Sequence, residues 1–338
     1  MRFGAIATAQ AEGHILGHNV SAADGKTHYR KGKKLTAQDL AELQTLGYTT
    51  LYVAQLDVGD VLENPAAQEL GQALQGNGLR VGSATNGRVN LFASQAGVLR
   101  VNVPHLHKIN ACEGISFATL PEHSIAQVGR LVATLKILPF ALPGATVRTV
   151  LAIARTAPIL AITPFTSKRV ALVFASSPQA QQRVQTSFLP ALQARIAECG
   201  ALCAEQAFLA LQDESSEQAL AQVLGELVGR NQLVLLAGET AIMDRQDLVP
   251  RAILRAGGEV TCWGVPVDPG NFLLIGYLQG VPLIGAPGCV RSRKRNVLDM
   301  VLPRLLVGDY LTQLDMAHLG HGGLLDEIPE RPMPREHG

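Results

Sequence analysis

The 338-residue sequence predicts an α/β protein: a mostly parallel sheet with helices on both sides in the second half, preceded by a smaller mixed α+β region. Three observations carry this. Past Pro164, short apolar runs alternate with amphipathic stretches, as in successive strand–helix units. Residues 169–175 (RVALVFA) are apolar almost throughout, as in a strand buried on both faces. The runs end in polar or glycine-rich tips, and open α/β sheets bind ligands beyond the carboxyl ends of their strands. The character of the chain changes between Pro164 and Arg169; before that, segments are short and turns frequent. The expected division is an N-terminal mixed α+β region over 1–165, of one or two subdomains, a sheet domain over 166–310, and a tail over 311–338.

In the first region, a basic turn (Tyr29-Arg30-Lys31-Gly32-Lys33-Lys34) precedes a helix over 36–46 that Thr36 caps. Residues 52–56 read as a strand and 61–74 as a helix stopped by Gly76-Asn77-Gly78. The stretch Asn86-Gly87-Arg88-Val89-Asn90 sets one arginine between two asparagines; it is a structural turn or a ligand contact. Lys136 is the one lysine in the apolar run 131–142, and it faces solvent or a buried anion.

In the second region, Ser177 followed by Pro178 caps a helix that runs to Glu198 and stops at Gly200. Residues 202–211 are extended, 213–216 form a polar loop and cap, and 217–228 form a helix. The central strand, 232–236, runs into Ala237-Gly238-Glu239-Thr240. Asp247 starts a helix ended by Gly257-Gly258, and 260–265 is a strand. After the Asp268-Pro269-Gly270-Asn271 turn, 272–277 and 281–284 pair as a hairpin, which makes one strand antiparallel. The last run enters Gly285-Ala286-Pro287-Gly288-Cys289 and then a helix over 297–306, with Arg291, Arg293, Lys294 and Arg295 before it. Free N–H groups and the helix dipole there suit an anion. A solvated basic turn is the alternative.

Composition narrows the function. With 29 basic and 28 acidic residues the net charge is +1, so nucleic acid and membrane are not expected partners. Aromatics make up 4%, so the core is aliphatic. The five cysteines (Cys112, Cys199, Cys203, Cys262, Cys289) include no C-x-x-C pair, which argues against a disulfide framework or zinc site and for a reducing compartment. No secretory pattern opens the sequence and no run approaches about 18 apolar residues, so a cytoplasmic location is expected. Dinucleotide, P-loop, serine-hydrolase and zincin signatures do not occur.

Five features, in order, resemble the molybdopterin-binding domain of molybdenum-cofactor biosynthesis proteins. They are Leu211-Gln212-Asp213-Glu214, Ala237-Gly238-Glu239-Thr240, Arg245-Gln246-Asp247-Leu248-Val249-Pro250, Asp268-Pro269-Gly270-Asn271-Phe272, and Gly285-Ala286-Pro287-Gly288-Cys289-Val290-Arg291-Ser292. Further stretches look like a subgroup often fused to a C-terminal nucleotidyltransferase domain, which is expected to be absent here: Ala11-Glu12-Gly13-His14-Ile15-Leu16-Gly17-His18, Gly87-Arg88-Val89-Asn90-Leu91-Phe92, residues 132–140 and Gly320-His321-Gly322-Gly323-Leu324-Leu325.

The resemblance implies a three-layer, mostly parallel sheet over 166–310. It implies a ligand that is molybdopterin, its adenylylated form or the finished cofactor, with Mg²⁺ and a molybdate site. Asp213 and Asp247 match the family's functional carboxylates, implying catalytic and metal-binding roles; hard cations take oxygen ligands against phosphate. From spacing alone, the favoured readings are a helix cap for Asp213 and a first-turn acid on the helix dipole for Asp247. Gly238, Gly270 and Gly288 allow close backbone approach, and Thr240 and Ser292 donate hydrogen bonds. Glu239, Pro269, Asn271, Pro287, Cys289 and Arg291 complete the expected binding set. Three positions depart from the family pattern: Ala237 replaces a glycine, Asn271 a lysine, and Glu239 a small residue. Two functions follow: a molybdotransferase-like enzyme, or a non-catalytic module that delivers the pterin to a nucleotidyltransferase or molybdoenzyme. The resemblance also implies a homo-oligomer. A generic dinucleotide-binding protein is the more distant alternative.

Overall fold

The computed structural model describes residues 1–21, 25–211 and 215–325. It divides into two compact units. The first comprises Met1–Gln95, Leu99–Glu122 and Ala126–Ile162; the second comprises Ala96–Val98, His123–Ile125 and Thr163–Gly338.

In the first unit, β1 (Arg2–Ala7), β2 (Ile15–Leu16) and β3 (Thr50–Gln55) form an antiparallel sheet in the order β1-β3-β2. Helix α1 (Ala37–Thr45) begins where the sequence predicts. Thr36 accepts from the Asp39 N–H, and Asp39 accepts from the Thr36 N–H at 2.9 Å, so both end groups are satisfied. Helix α2 (Glu63–Leu74) is followed by β4 (Leu79–Val81), β5 (Arg88–Ala93), α3 (Val103–Asn110), β6 (Ile115–Thr119), β7 (Leu131–Ile137) and α4 (Gly144–Thr156). The second sheet has the order β6-β7-β5-β4. Asn86 and Gly87 turn the chain into β5 with φ of 50° and 69°, closed by reciprocal bonds between Thr85 and Arg88. That is the primed-turn chemistry that Asn-Gly favours.

The second unit holds a six-stranded sheet made of β8 (Arg169–Ser176), β9 (Leu202–Ala210), β10 (Leu233–Gly238), β11 (Glu259–Trp263), β12 (Leu274–Leu278) and β13 (Val281–Gly285). The order is β9-β8-β10-β13-β12-β11. Strands β9, β8, β10 and β13 pair in parallel; β12 runs antiparallel to both neighbours. The β12–β13 hairpin turns at Gln279 and Gly280, both with positive φ.

The helices are α5 (Gln181–Glu198), α6 (Ser215–Val228), α7 (Leu248–Arg255), α8 (Val297–Leu306) and α9 (Gln313–Ala317). Alternate residues of β8 enter two cores. Val170, Leu172 and Phe174 pack with α5 and α8; Ala171, Val173 and Ala175 pack with α6 and α7. A strand with both faces covered must be apolar at every position, which is why residues 169–175 read as they do. The described part of the stretch expected as a tail joins this body, since Leu311, Met316 and Leu325 are buried in the core that contains Phe174. Among the described residues, no helix is long and apolar enough to cross a membrane.

Candidate functional site

Strand register brings the expected loops to one edge of the sheet. Ser176 pairs with Ala210, Ala175 with Gly238, Leu236 with Gly285, Leu274 with Gly285, and Trp263 with Leu274. The segments after β8, β10 and β13, and the turn before β12, therefore leave at the carboxyl edge, where β9 also ends. The chain leaves β8 for β9 on one side, then returns past β8 to β10 on the other. Such a reversal opens a crevice between the two strand ends, here between Ser177 and Gly238-Glu239-Thr240.

Glu239 lies across that crevice. Its carboxylate accepts from the Ser177 N–H (3.3 Å) and hydroxyl (2.9 Å) and from the Arg183 guanidinium (2.7 Å). These donors, Ser177 first, hold its pKa below the usual 4.5. The sequence predicts Ser177 as a side-chain cap. Instead Pro178 opens a short 3₁₀ turn, Pro178–Ala180, and the Ser177 hydroxyl bonds Glu239. Ser177 and Arg183 were not among the expected site residues; the only sequence signal was the Ser-Pro pair after an apolar strand. Thr240 is exposed. A Cβ on Gly238 would meet the Ala175 carbonyl at 3.2 Å, so strand packing accounts for part of its small size.

The turn after β13 is shaped by its own side chains. Arg291 folds back, donating to the Gly288 carbonyl at 2.9 Å with its guanidinium 5.3 Å from the Phe188 ring centroid. A Cβ on Gly288 would meet only this guanidinium, at 3.0 Å. Pro287 is buried, Ser292 is exposed and accepts from the Lys294 N–H, and burial pushes the Cys289 thiol pKa up, keeping it protonated near neutral pH. The expectation of a helix start open to an anion is corrected here. Asn296 accepts from the Leu298 N–H, while Asp299 accepts from the Asn296 N–H at 2.7 Å, so α8 carries its own anion.

Behind that turn, Arg195 of α5 is buried and donates to both carboxylate oxygens of Asp299 (2.7 and 3.2 Å) and to the Val290 and Lys294 carbonyls (3.2 and 3.0 Å). One guanidinium thus fixes both ends of the segment from Val290 to Asp299. Nothing in the local sequence around Arg195 indicates this.

The two expected carboxylates fare differently. Asp213 lies outside the described residues. Asp247 directly precedes α7, but its Oδ2 accepts from the Met243 N–H (2.5 Å) and the Asp244 N–H (3.1 Å), closing the turn from Met243 to Asp247. Among the described residues, no cluster of three or more His, Cys, Asp or Glu side chains could hold a metal ion. In the turn before β12, Gly270 has φ +143°, and a Cβ there would lie 2.4 Å from Val297 Cβ and Cγ1. Its close approach is to α8. Pro269 accepts from the Val297 N–H, and the exposed Asn271 offers its carbonyl to the Val265 N–H. At the opposite edge of the sheet, a cavity of about 250 Å³ is lined by Lys168, Gln232, Tyr277 and Tyr310.

One family model, Domain of unknown function (DUF8806), matches residues 5–55. No curated protein matches the sequence. Among solved structures, the chain is similar to a molybdopterin biosynthesis MoeA protein from Pyrococcus horikoshii, at 13% identity and a TM-score of 0.29, covering 90% of this chain and 75% of that one. It is also similar to a molybdenum cofactor biosynthesis protein from Pyrococcus furiosus, at 11% identity and a TM-score of 0.24, covering 90% of this chain and 63% of that one. The chain thus spans less than two thirds of the second protein's length.

Proposed function

We propose that the second unit binds a phosphate-bearing pterin of the molybdopterin class at the carboxyl edge of its sheet, as part of molybdenum-cofactor biosynthesis. The observation that carries this is the donor set at the switch point between β8 and β10. There a backbone N–H, a hydroxyl and a guanidinium already converge on one carboxylate oxygen pair, the donor set an oxyanion needs. Gly238, Thr240, Pro269, Asn271, Pro287, Gly288, Arg291 and Ser292 are the neighbouring contacts in this reading, with the three-layer arrangement as its frame. The ordered motif resemblance selects the pterin among phosphate-bearing ligands.

Within this reading, the delivery module is favoured over the transferase, and its receiver is a nucleotidyltransferase or a molybdoenzyme. A magnesium-dependent transferase needs Asp213 and Asp247 as metal carboxylates. Asp247, the one of the two among the described residues, already spends Oδ2 on the Met243 and Asp244 N–H groups and closes a turn, which weakens its case as a magnesium ligand.

Anaerobic calorimetry with molybdopterin and with adenylylated molybdopterin, each with and without Mg²⁺ and molybdate, tests the proposal. The expected result is tight binding without AMP release, with Asp247→Asn binding equally well in either condition. AMP release would instead establish the transferase, and no binding of either pterin would overturn the proposal.

Glu239→Gln gives a second expected outcome. The wild-type carboxylate competes with ligand for Ser177 and Arg183, so the neutral variant binds the pterin phosphate more tightly. Because the Glu239 pKa is depressed on folding, its contribution to stability is present above about pH 4.5 and lost as pH falls through the lowered value. Acid melts of Glu239→Gln therefore lack that part of the acid limb. Weaker ligand binding together with an unchanged limb would remove this role for Glu239.

A further inference from the structure

We propose that the first unit carries a separate site for a small planar organic anion, an aromatic carboxylate of one or two rings. A cavity of about 250 Å³ is built there from sequence-distant segments, with Ile15, Lys34, Leu62, Glu63, Asn64 and Phe140 on its walls. An apolar cavity of roughly 150 Å³ holds benzene, so this volume suits one or two rings. Gly13 and Gly32 line it as well, leaving open backbone where side chains would intrude. Phe140 supplies an aromatic surface, and its ring is backed by Phe3 at 6.5 Å between centroids and 25° between planes.

Charge decides the ligand's sign. The wall's one carboxylate, Glu63, is countered by Lys136 at 3.6 Å. Asn64 is committed too, since its side-chain oxygen accepts from the Gly87 N–H at 2.7 Å. Lys33, next to the wall lysine, is taken by Asp39 at 2.8 Å. Lys34 forms no ion pair among the described residues, so the cavity presents one net positive charge beside an apolar body. That combination selects an anion with a flat apolar part over a phosphate ion or a neutral arene. Lys34 and Phe140 lie outside the second unit, so failure of pterin binding there leaves this site untouched.

The test is calorimetry and ligand-observed NMR on the full chain with 2-naphthoate, neutral 2-naphthylmethanol and inorganic phosphate. The expected result is one naphthoate per chain, with the alcohol about tenfold weaker and phosphate not bound. Lys34→Gln removes the preference for the acid and leaves the alcohol's affinity unchanged, whereas Phe140→Ala weakens both. Lys34→Gln changes an exposed side chain and is not expected to disturb folding, so it decides the matter even if Phe140→Ala unfolds. Equal affinity for acid and alcohol, unchanged naphthoate binding in Lys34→Gln, or no binding at about 1 mM would overturn the site.

Discussion

Arg195→Ala is expected to destabilise the second unit by about 3 kcal/mol, the low end of the cost of breaking a buried ion pair from one side, because the Asp299 left behind is 26% exposed. The wild-type guanidinium is 7% exposed and forms the bidentate pair with Asp299. Removing it leaves the Asp299 carboxylate with the Asn296 N–H in place of three donors, takes the Arg195 donor from the Val290 carbonyl, and leaves the Lys294 carbonyl with the Asn296 Nδ2–H. Urea unfolding is expected to show the loss as a lower midpoint at similar slope. Asp299→Ala is expected to cost a similar amount, because it strands the Arg195 guanidinium, the more buried partner, and takes the acceptor from the Asn296 N–H, and the double variant is expected to fall well short of the sum. Hydrogen exchange rises first over 288–299. A loss below about 1 kcal/mol would mean that the pair behaves like a surface salt bridge and does not hold the turn.

That clamp also marks where sequence stops being informative. Periodicity locates elements because burial repeats with the backbone, and so β8, α5 and α8 lie close to where the apolar pattern puts them. The Gln279-Gly280 hairpin is legible because left-handed turns restrict residue type. The convergence of loops at the carboxyl edge follows from strand alternation alone. What is not legible is which polar side chains find one another. Arg195 and Asp299 are 104 residues apart, and Glu239 and Ser177 are 62 apart. A guanidinium on an amphipathic helix reads as solvent-facing until a specific carboxylate is brought beneath it. The same blindness made the start of α8 look open to an anion, since nothing in the order Asn296-Val297-Leu298-Asp299 says that Asp299 folds back to accept from the Asn296 N–H.

Gly270→Ala is expected to cost about 2–4 kcal/mol, from a φ that side-chain-bearing residues rarely adopt and from overpacking. A Cβ at Gly270 would fall 2.4 Å from Val297 Cβ and Cγ1 and 3.2 Å from the Val297 N. Val297 is the first residue of α8, so the added methyl pushes on the helix that Arg195 holds through Asp299. This variant separates two reasons for a glycine here, close approach of a ligand and close approach of Val297. In Gly270→Ala with Val297→Ala, the Cγ contact is gone and only the backbone strain and the Cβ contact remain. The double variant is expected to be more stable than the sum of the single effects by about 1 kcal/mol, read from urea midpoints. Pterin affinity then decides the rest. If packing is the sole reason, affinity recovers in step with stability; if the ligand also approaches Gly270, stability recovers and affinity does not. Simple additivity in the urea series would mean that the clash is relieved by motion of the turn, and that α8 is not held from this side.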